Sequence, residues 1–118
     1  MKIDVFLTAE EAKRKKIHDS NIVVIDVLRA TSVMITAMAH GVSKIHPYES
    51  IEEVREASLA SSFSILCGER KGLTIPGFDY GNSPLEYQKD NIRGAEMFMT
   101  TSNGTRALRN IHGQNNRI

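Results

Sequence analysis

Asn21-Ile22-Val23-Val24-Ile25-Asp26-Val27-Leu28-Arg29-Ala30-Thr31-Ser32 is a β-branched apolar run that ends in an acid, an arginine and two hydroxyls. Asn21–Ile25 reads as a strand, and its near-continuous apolarity places it inside a sheet covered on both faces. Helix signals run from about Thr31 to His40, and Gly41 is placed to end that helix. The same grammar recurs twice. Ser64–Cys67 is followed by Gly68-Glu69-Arg70, and Glu96–Thr100 by Thr101-Ser102-Asn103-Gly104-Thr105-Arg106. In an open α/β sheet, ligands bind outside the carboxyl ends of the strands. Three polar clusters at that edge, rich in acids, arginines and hydroxyls, point to one site for an anion and a hard metal ion.

The rest of the chain fits this frame. Lys2–Phe6 alternates and reads as a first strand. Thr8 with Glu11 has capping-box spacing and opens a helix to about Lys16. Lys44–His46 is a short strand, its extension limited by Pro47. Ser50 with Glu53 is a second capping box, starting a helix to about Ala60. The segment from Gly68 to Pro84, with Gly72, Gly77 and Gly81, reads as a long functional loop. A helical turn follows at Pro84–Gln88, and a last helix runs from about Gly104 to Ile111. Strands alternating with helices give an α/β fold, three-layer α/β/α with a largely parallel or mixed sheet. Residues 1–118 form one domain, with a frayed tail over 113–118.

Composition bounds the function. The 118 residues are 41% apolar and 25% charged, with 15 basic and 14 acidic side chains and a formal net charge of +1. Such a balance gives no electrostatic case for nucleic acid or an anionic membrane surface. Lys13-Arg14-Lys15-Lys16 is read as a solvated helix face. Cys67 is the one cysteine, so no intrachain disulfide forms and a reducing cytoplasm is the expected setting. No run approaches the roughly 18 apolar residues of a membrane span, and Asp4 and Glu10-Glu11 interrupt any secretory signal.

Each candidate has a plain structural reading beside the chemical one. Asp26 ends an apolar strand, where a carboxylate is costly unless paired, hydrogen-bonded or bound to metal; a cap on the next turn also explains it. Thr31 and Ser32 sit at a helix N-terminus that suits phosphate, and helix capping alone explains their type equally well. Glu69 and Arg70 are flanked by Gly68 and Gly72, which permit close approach of a ligand or a simple surface ion pair. Asp79, Asn82 and Ser83 lie in a turn-rich stretch. Asn103, Gly104, Thr105 and Arg106 combine N–H donors, an amide, a hydroxyl and a guanidinium. Asp26, Glu69 and Asp79 together offer oxygen ligands for Mg²⁺, while Arg29, Arg70 and Arg106 would neutralise a multiply charged substrate. Scattered His18, His40, His46 and His112 read as surface or cap residues, and Cys67 as a small core residue. Known phosphatase signatures are absent. Leu73 stands where a cysteine phosphatase needs arginine, Leu28 where a haloacid-dehalogenase type needs aspartate, and no Walker triplet occurs.

Taken together, Ile25–Ser32, Gly68-Glu69-Arg70 with Gly72, Gly77-Phe78-Asp79 with Gly81-Asn82-Ser83-Pro84, and Thr101–Leu108 resemble the 2-phosphosulfolactate phosphatases. Ser102 stands where that family usually has threonine, which keeps the hydroxyl. The resemblance covers Asn21 to Leu108 and corresponds to the N-terminal half of a family member. It implies a Mg²⁺-dependent hydrolase that converts 2-phospho-3-sulfolactate to 3-sulfolactate, a step toward coenzyme M. In it, Asp26, Glu69 and Asp79 hold the metal, Asp26, Arg29, Glu69 and Arg70 carry the chemistry, and Thr31, Ser32, Asn82, Ser83, Asn103, Gly104, Thr105 and Arg106 bind substrate. Half a sheet would leave an open edge and an apolar face, so a homo-oligomer or the missing C-terminal half is the expected partner. The alternatives are a non-catalytic phosphate- or sulfonate-binding module and an inactive truncated fragment.

Overall fold

The computed structural model describes residues 1–15 and 17–111. The frayed tail expected over 113–118, the helix end at Lys16 and His112 lie outside them. Helix α1 spans Ala9–Lys15, α2 Ala30–Ala39, α3 Ile51–Ser58 and α4 Gly104–Ile111; strands β1, β2, β3 and β4 span Lys44–Pro47, Ser64–Arg70, Leu73–Thr74 and Glu96–Thr100. Short 3₁₀ turns cover Pro84–Tyr87 and Asp90–Ile92. The sheet order is β1-β4-β2-β3. β4 pairs in parallel with both β1 and β2, and β3 pairs antiparallel with β2. The α/β class and the mixed, mostly parallel sheet are therefore as the sequence predicts. No helix among the described residues is long and apolar enough to cross a membrane.

Local chemistry explains the elements that form. At α1, the Glu11 N–H donates to Thr8 Oγ1 at 3.1 Å, and the Leu7 N–H donates to the Glu11 carboxylate at 3.0 Å. At α3, the Glu53 N–H donates to Ser50 Oγ at 3.1 Å and the Ser50 N–H donates back to Glu53 at 2.9 Å. Both are reciprocal caps that satisfy N–H groups a helix cannot. Gly41 follows α2 at φ +95°.

Packing follows the period-two alternation of β2 and β4. Ile65, Cys67, Met97 and Met99 share one core with Val33 and Ala37 of α2, and with Tyr87 and Ile92. Leu66 and Phe98 alternate to the opposite face. Helix α3 packs on β2 and β4 through a fully buried Val54 that is not part of that core. It therefore covers the second face. Burial pushes the Cys67 thiol up to about 12, so it is protonated at neutral pH and acts as a core residue.

Two expectations change. Lys2–Phe6 and Asn21–Asp26 form no strand; Asn21 alone makes a bridge. A strand exists through its ladder partners, and among the described residues none is offered to these segments. The predicted long loop is also partly ordered. β2 continues through Gly68-Glu69-Arg70 and turns at Lys71-Gly72, with φ of 55° and 79°, into β3. Two positive φ values are the signature of the tight hairpin turn matching strand twist. Beyond it, Tyr80 bridges Cys67 in parallel, and the Gly68 N–H donates to the Tyr80 carbonyl at 3.0 Å.

Gly68 tests this arrangement. Its φ is +143°, and a Cβ there would collide with the Thr100 carbonyl oxygen. Gly68→Ala should lower unfolding free energy by at least about 2 kcal/mol, combining backbone strain with overpacking. A denaturant melt within a few tenths of the unsubstituted chain would contradict this.

Candidate functional site

Parallel pairing brings three carboxyl ends to one edge, with Thr100 level with Gly68 and Met99 level with Pro47 and Cys67. The polar residues that follow are tied together there. Glu69 is 8% exposed. Its carboxylate accepts from the Ser102 N–H at 2.7 Å, the Ser102 hydroxyl at 3.2 Å and the Gly72 N–H at 2.9 Å. Burial alone would raise its pKa; the donors from Ser102 and Gly72 and the charge of Arg70 outweigh that and hold it below the ordinary glutamate value. A carboxylate held by several N–H donors stays ionised.

Arg70 works the same edge. Its Nη2 donates to Thr100 Oγ1 at 2.8 Å and to the Glu49 carbonyl at 3.0 Å, and its Nη1 to the Glu69 carbonyl at 2.8 Å. One guanidinium thus joins the chain after β1 to the ends of β4 and β2. The fork geometry of arginine makes such three-way bridging possible.

The Thr101–Thr105 turn is closed internally. The Thr101 N–H donates to Thr105 Oγ1 at 3.0 Å, the Thr105 N–H to Thr101 Oγ1 at 3.2 Å, and the Thr105 hydroxyl to the Thr101 carbonyl at 3.1 Å. Thr105, read from sequence as a substrate contact, is fully buried and holds the turn that starts α4. Asp26 lies against this turn. Its Oδ2 is 2.8 Å from the point where a Cβ on Gly104 would stand, beside the Ala30 methyl. Only glycine lets the two segments meet so closely.

Around Asp26 the hydroxyls bond to backbone. Thr31 Oγ1 accepts from the Asp26 N–H at 2.9 Å and donates to its carbonyl at 2.8 Å. Ser32 Oγ donates to the Val27 carbonyl at 2.8 Å. The Asp26 carboxylate itself meets no protein donor among the described hydrogen bonds. Arg29, at the N-cap of α2, and Arg106, on the first turn of α4, are exposed. Arg106 and Asn103 border a small surface cavity of about 170 Å³ with Thr8, Ala9 and Glu10.

The second half of the predicted site lies elsewhere. The Asp79 carboxylate accepts from the Leu66 N–H at 2.8 Å, midway along β2. Ser83 donates its N–H to Glu86 at 3.2 Å, and Glu86 also accepts from the Gly81 N–H at 3.1 Å. Asn82 Oδ1 is buried with no hydrogen-bond partner among the described residues. No three His, Cys, Asp or Glu side chains among the described residues gather as a metal-holding group, so Asp26, Glu69 and Asp79 do not converge. Sequence reasoning missed Thr100, Glu49 and Glu86, which work through a strand-end hydroxyl, a backbone carbonyl and a loop carboxylate. Glu86 stands three residues after Ser83, the capping-box spacing that marks it; Thr100 and Glu49 lie in no pattern that marks them.

Fold and edge together define a class: an α/β protein whose acids, arginines and helix N-terminus meet at the carboxyl end of a parallel sheet. Within that class, the chain belongs to the 2-phosphosulfolactate phosphatase family, whose model, described as 2-phosphosulpholactate phosphatase, matches residues 6–118. A probable 2-phosphosulfolactate phosphatase of Clostridium tetani is 49% identical over 110 residues, covering 92% of this chain and 47% of the relative. That of Clostridium acetobutylicum is 46% identical over 110 residues, with the same coverage of 92% and 47%. One of Carboxydothermus hydrogenoformans is 46% identical over 109 residues, covering 92% and 44%. The chain thus spans about half the length of the curated relatives it matches.

Glu69→Gln puts an amide NH₂ where two oxygens now accept. Leaving one donor opposed should cost about 1–3 kcal/mol at neutral pH. Because the folded pKa is lowered, the carboxylate's stabilisation is complete above the ordinary glutamate value of roughly 4.3 and fades as pH falls through the lower folded value. Melts as a function of pH should show that acid-side loss in the unsubstituted chain and a flatter profile in Glu69→Gln. Parallel profiles would contradict the assignment.

Proposed function

We propose that this chain carries the N-terminal part of a Mg²⁺-dependent phosphoric monoester hydrolase acting on 2-phospho-3-sulfolactate, or a similar small anionic phosphate ester, in coenzyme M biosynthesis. Family membership supports the reaction class. The single observation that carries the site is Asp26: a half-buried carboxylate, with no protein donor among the described hydrogen bonds, set against Gly104 at the start of α4.

The residues fit the metal in a limited way. Asp26 offers hard oxygen donors, whereas Glu69 is held by Ser102 and Gly72, and Asp79 by Leu66. Mg²⁺ commonly takes one or two carboxylates and completes its shell with water and substrate phosphate, so Asp26 would hold it on this chain. When bound, the metal supplies charge that polarises the phosphoryl group. The chain's own groups do the rest. Arg29 at the N-cap of α2 and Arg106 on the first turn of α4, both exposed, neutralise the phosphate, sulfonate and carboxylate of the substrate. The N–H groups at the start of α4 orient phosphate oxygens. Glu69 and Arg70 keep that start fixed against β2 and β4, which makes them positioning residues. Hydrolysis joins a water oxygen to phosphorus and breaks the ester P–O bond, releasing 3-sulfolactate and phosphate.

Phosphate release from 2-phospho-3-sulfolactate, with Mg²⁺ and with EDTA, tests this reading. Turnover should need Mg²⁺ and fall at least about 100-fold in Asp26→Asn, the scale of losing one directed electrostatic contact in a transition state. Binding of the substrate without turnover, indifferent to Mg²⁺, would favour the non-catalytic module and overturn the enzyme reading.

A further inference from the structure

We infer that the segments 2–6 and 22–26, which carry strand composition without a ladder among the described residues, are the seat of the half of the family's length that this chain's match leaves out, and that this half adds strands to them beside Asp26. Exposure along Asn21–Val27 alternates strictly. Ile22, Val24 and Asp26 are half-buried, while Val23, Ile25 and Val27 are 83%, 78% and 65% exposed. Ile3, Val5 and Leu7 are exposed as well, in a segment open on both sides apart from a half-buried Phe6. The alternation along Asn21–Val27 is the pattern of a strand lying on a core with one face uncovered. Their backbones carry no ladder among the described residues, Asn21 excepted. Backbone without a ladder beside an exposed aliphatic row is a template for strand addition.

Helix α2 adds an independent sign. Ala30-Thr31-Ser32-Val33-Met34-Ile35-Thr36-Ala37-Met38-Ala39 has no charged residue on any face, and Ile35 and Met38 stand exposed opposite the buried Val33 and Ala37. A helix without a charged face belongs inside a fold. The occupant follows from length. The match takes 92% of this chain and only 47% of the Clostridium tetani relative, so more than half of that relative lies outside it. Exposed aliphatic side chains in such number mark an interaction site, and a polypeptide of about equal size is what the relatives carry to fill it. The consequence for the site is direct: the remaining neighbours of the Asp26 carboxylate come from the added half. The inference rests on family membership, not on the proposed reaction.

Hydrogen exchange followed by mass spectrometry decides it, on this 118-residue chain and on the intact Clostridium tetani relative. In this chain, amides of 3–6 and 22–25 should exchange near the unprotected rate, while those of β2 and β4 are slow. In the intact relative, the aligned segments should be protected by a factor on the order of 100 or more, as core strands are. Free exchange of those segments in the intact relative would overturn the inference, whatever the isolated chain does. So would their protection in this chain alone. If its sedimenting mass is then that of two chains, the occupant is a second copy.

Discussion

The Glu69 carboxylate, accepting from Ser102 and Gly72, is the contact on which the polar edge of this protein depends. It sits at the end of β2, binds the turn that starts α4 and holds the hairpin leading into β3. Its neighbour Arg70 runs the other way, to Thr100 and to the chain beyond β1. Two consecutive residues of opposite charge therefore fix three strand ends relative to one another. Such charge-assisted bonds are stronger than neutral ones and short in range. They hold a turn in register, which dispersed hydrophobic packing does not do.

Fixing that turn places Gly104, and Gly104 in turn receives Asp26. The approach is close enough that a methyl group would displace the carboxylate. Thr31 and Ser32 shape the same turn from the other side through backbone bonds. The edge is thus built from a scaffold of engaged groups (Glu69, Arg70, Thr105, Thr31, Ser32) around a smaller set left open: Asp26, Arg29, Arg106 and Asn103. In the proposed hydrolase, the N–H groups of this preorganised turn and the guanidinium groups of Arg29 and Arg106 would meet the developing phosphoryl charge.

Much of this was legible from residues alone. Ser50 and Glu53 announce α3 because a capping box is a local contract between neighbours in sequence. Glu96–Thr100 is legible to the residue, since an apolar run followed by Thr-Ser-Asn-Gly leaves little ambiguity. Cys67 was read as core from its place in an apolar strand. The misread elements share one cause. Asn21–Ile25 has the composition of a strand, yet pairing depends on residues far away in sequence. Glu69, Asp79 and Thr105 have the chemistry of ligand groups, but a polar side chain carries no mark telling whether it faces a ligand or its own backbone. Asp79 went to Leu66, and Thr105 to Thr101, through three-dimensional proximity that spacing does not encode.

The most direct measurement is an NMR pH titration of the Ser102 and Gly72 amides. The account predicts that both shift together, with one midpoint below the ordinary glutamate value, because both donate to one ionised carboxylate. Amides that do not respond, or that titrate at or above that value, would contradict the role given to Glu69.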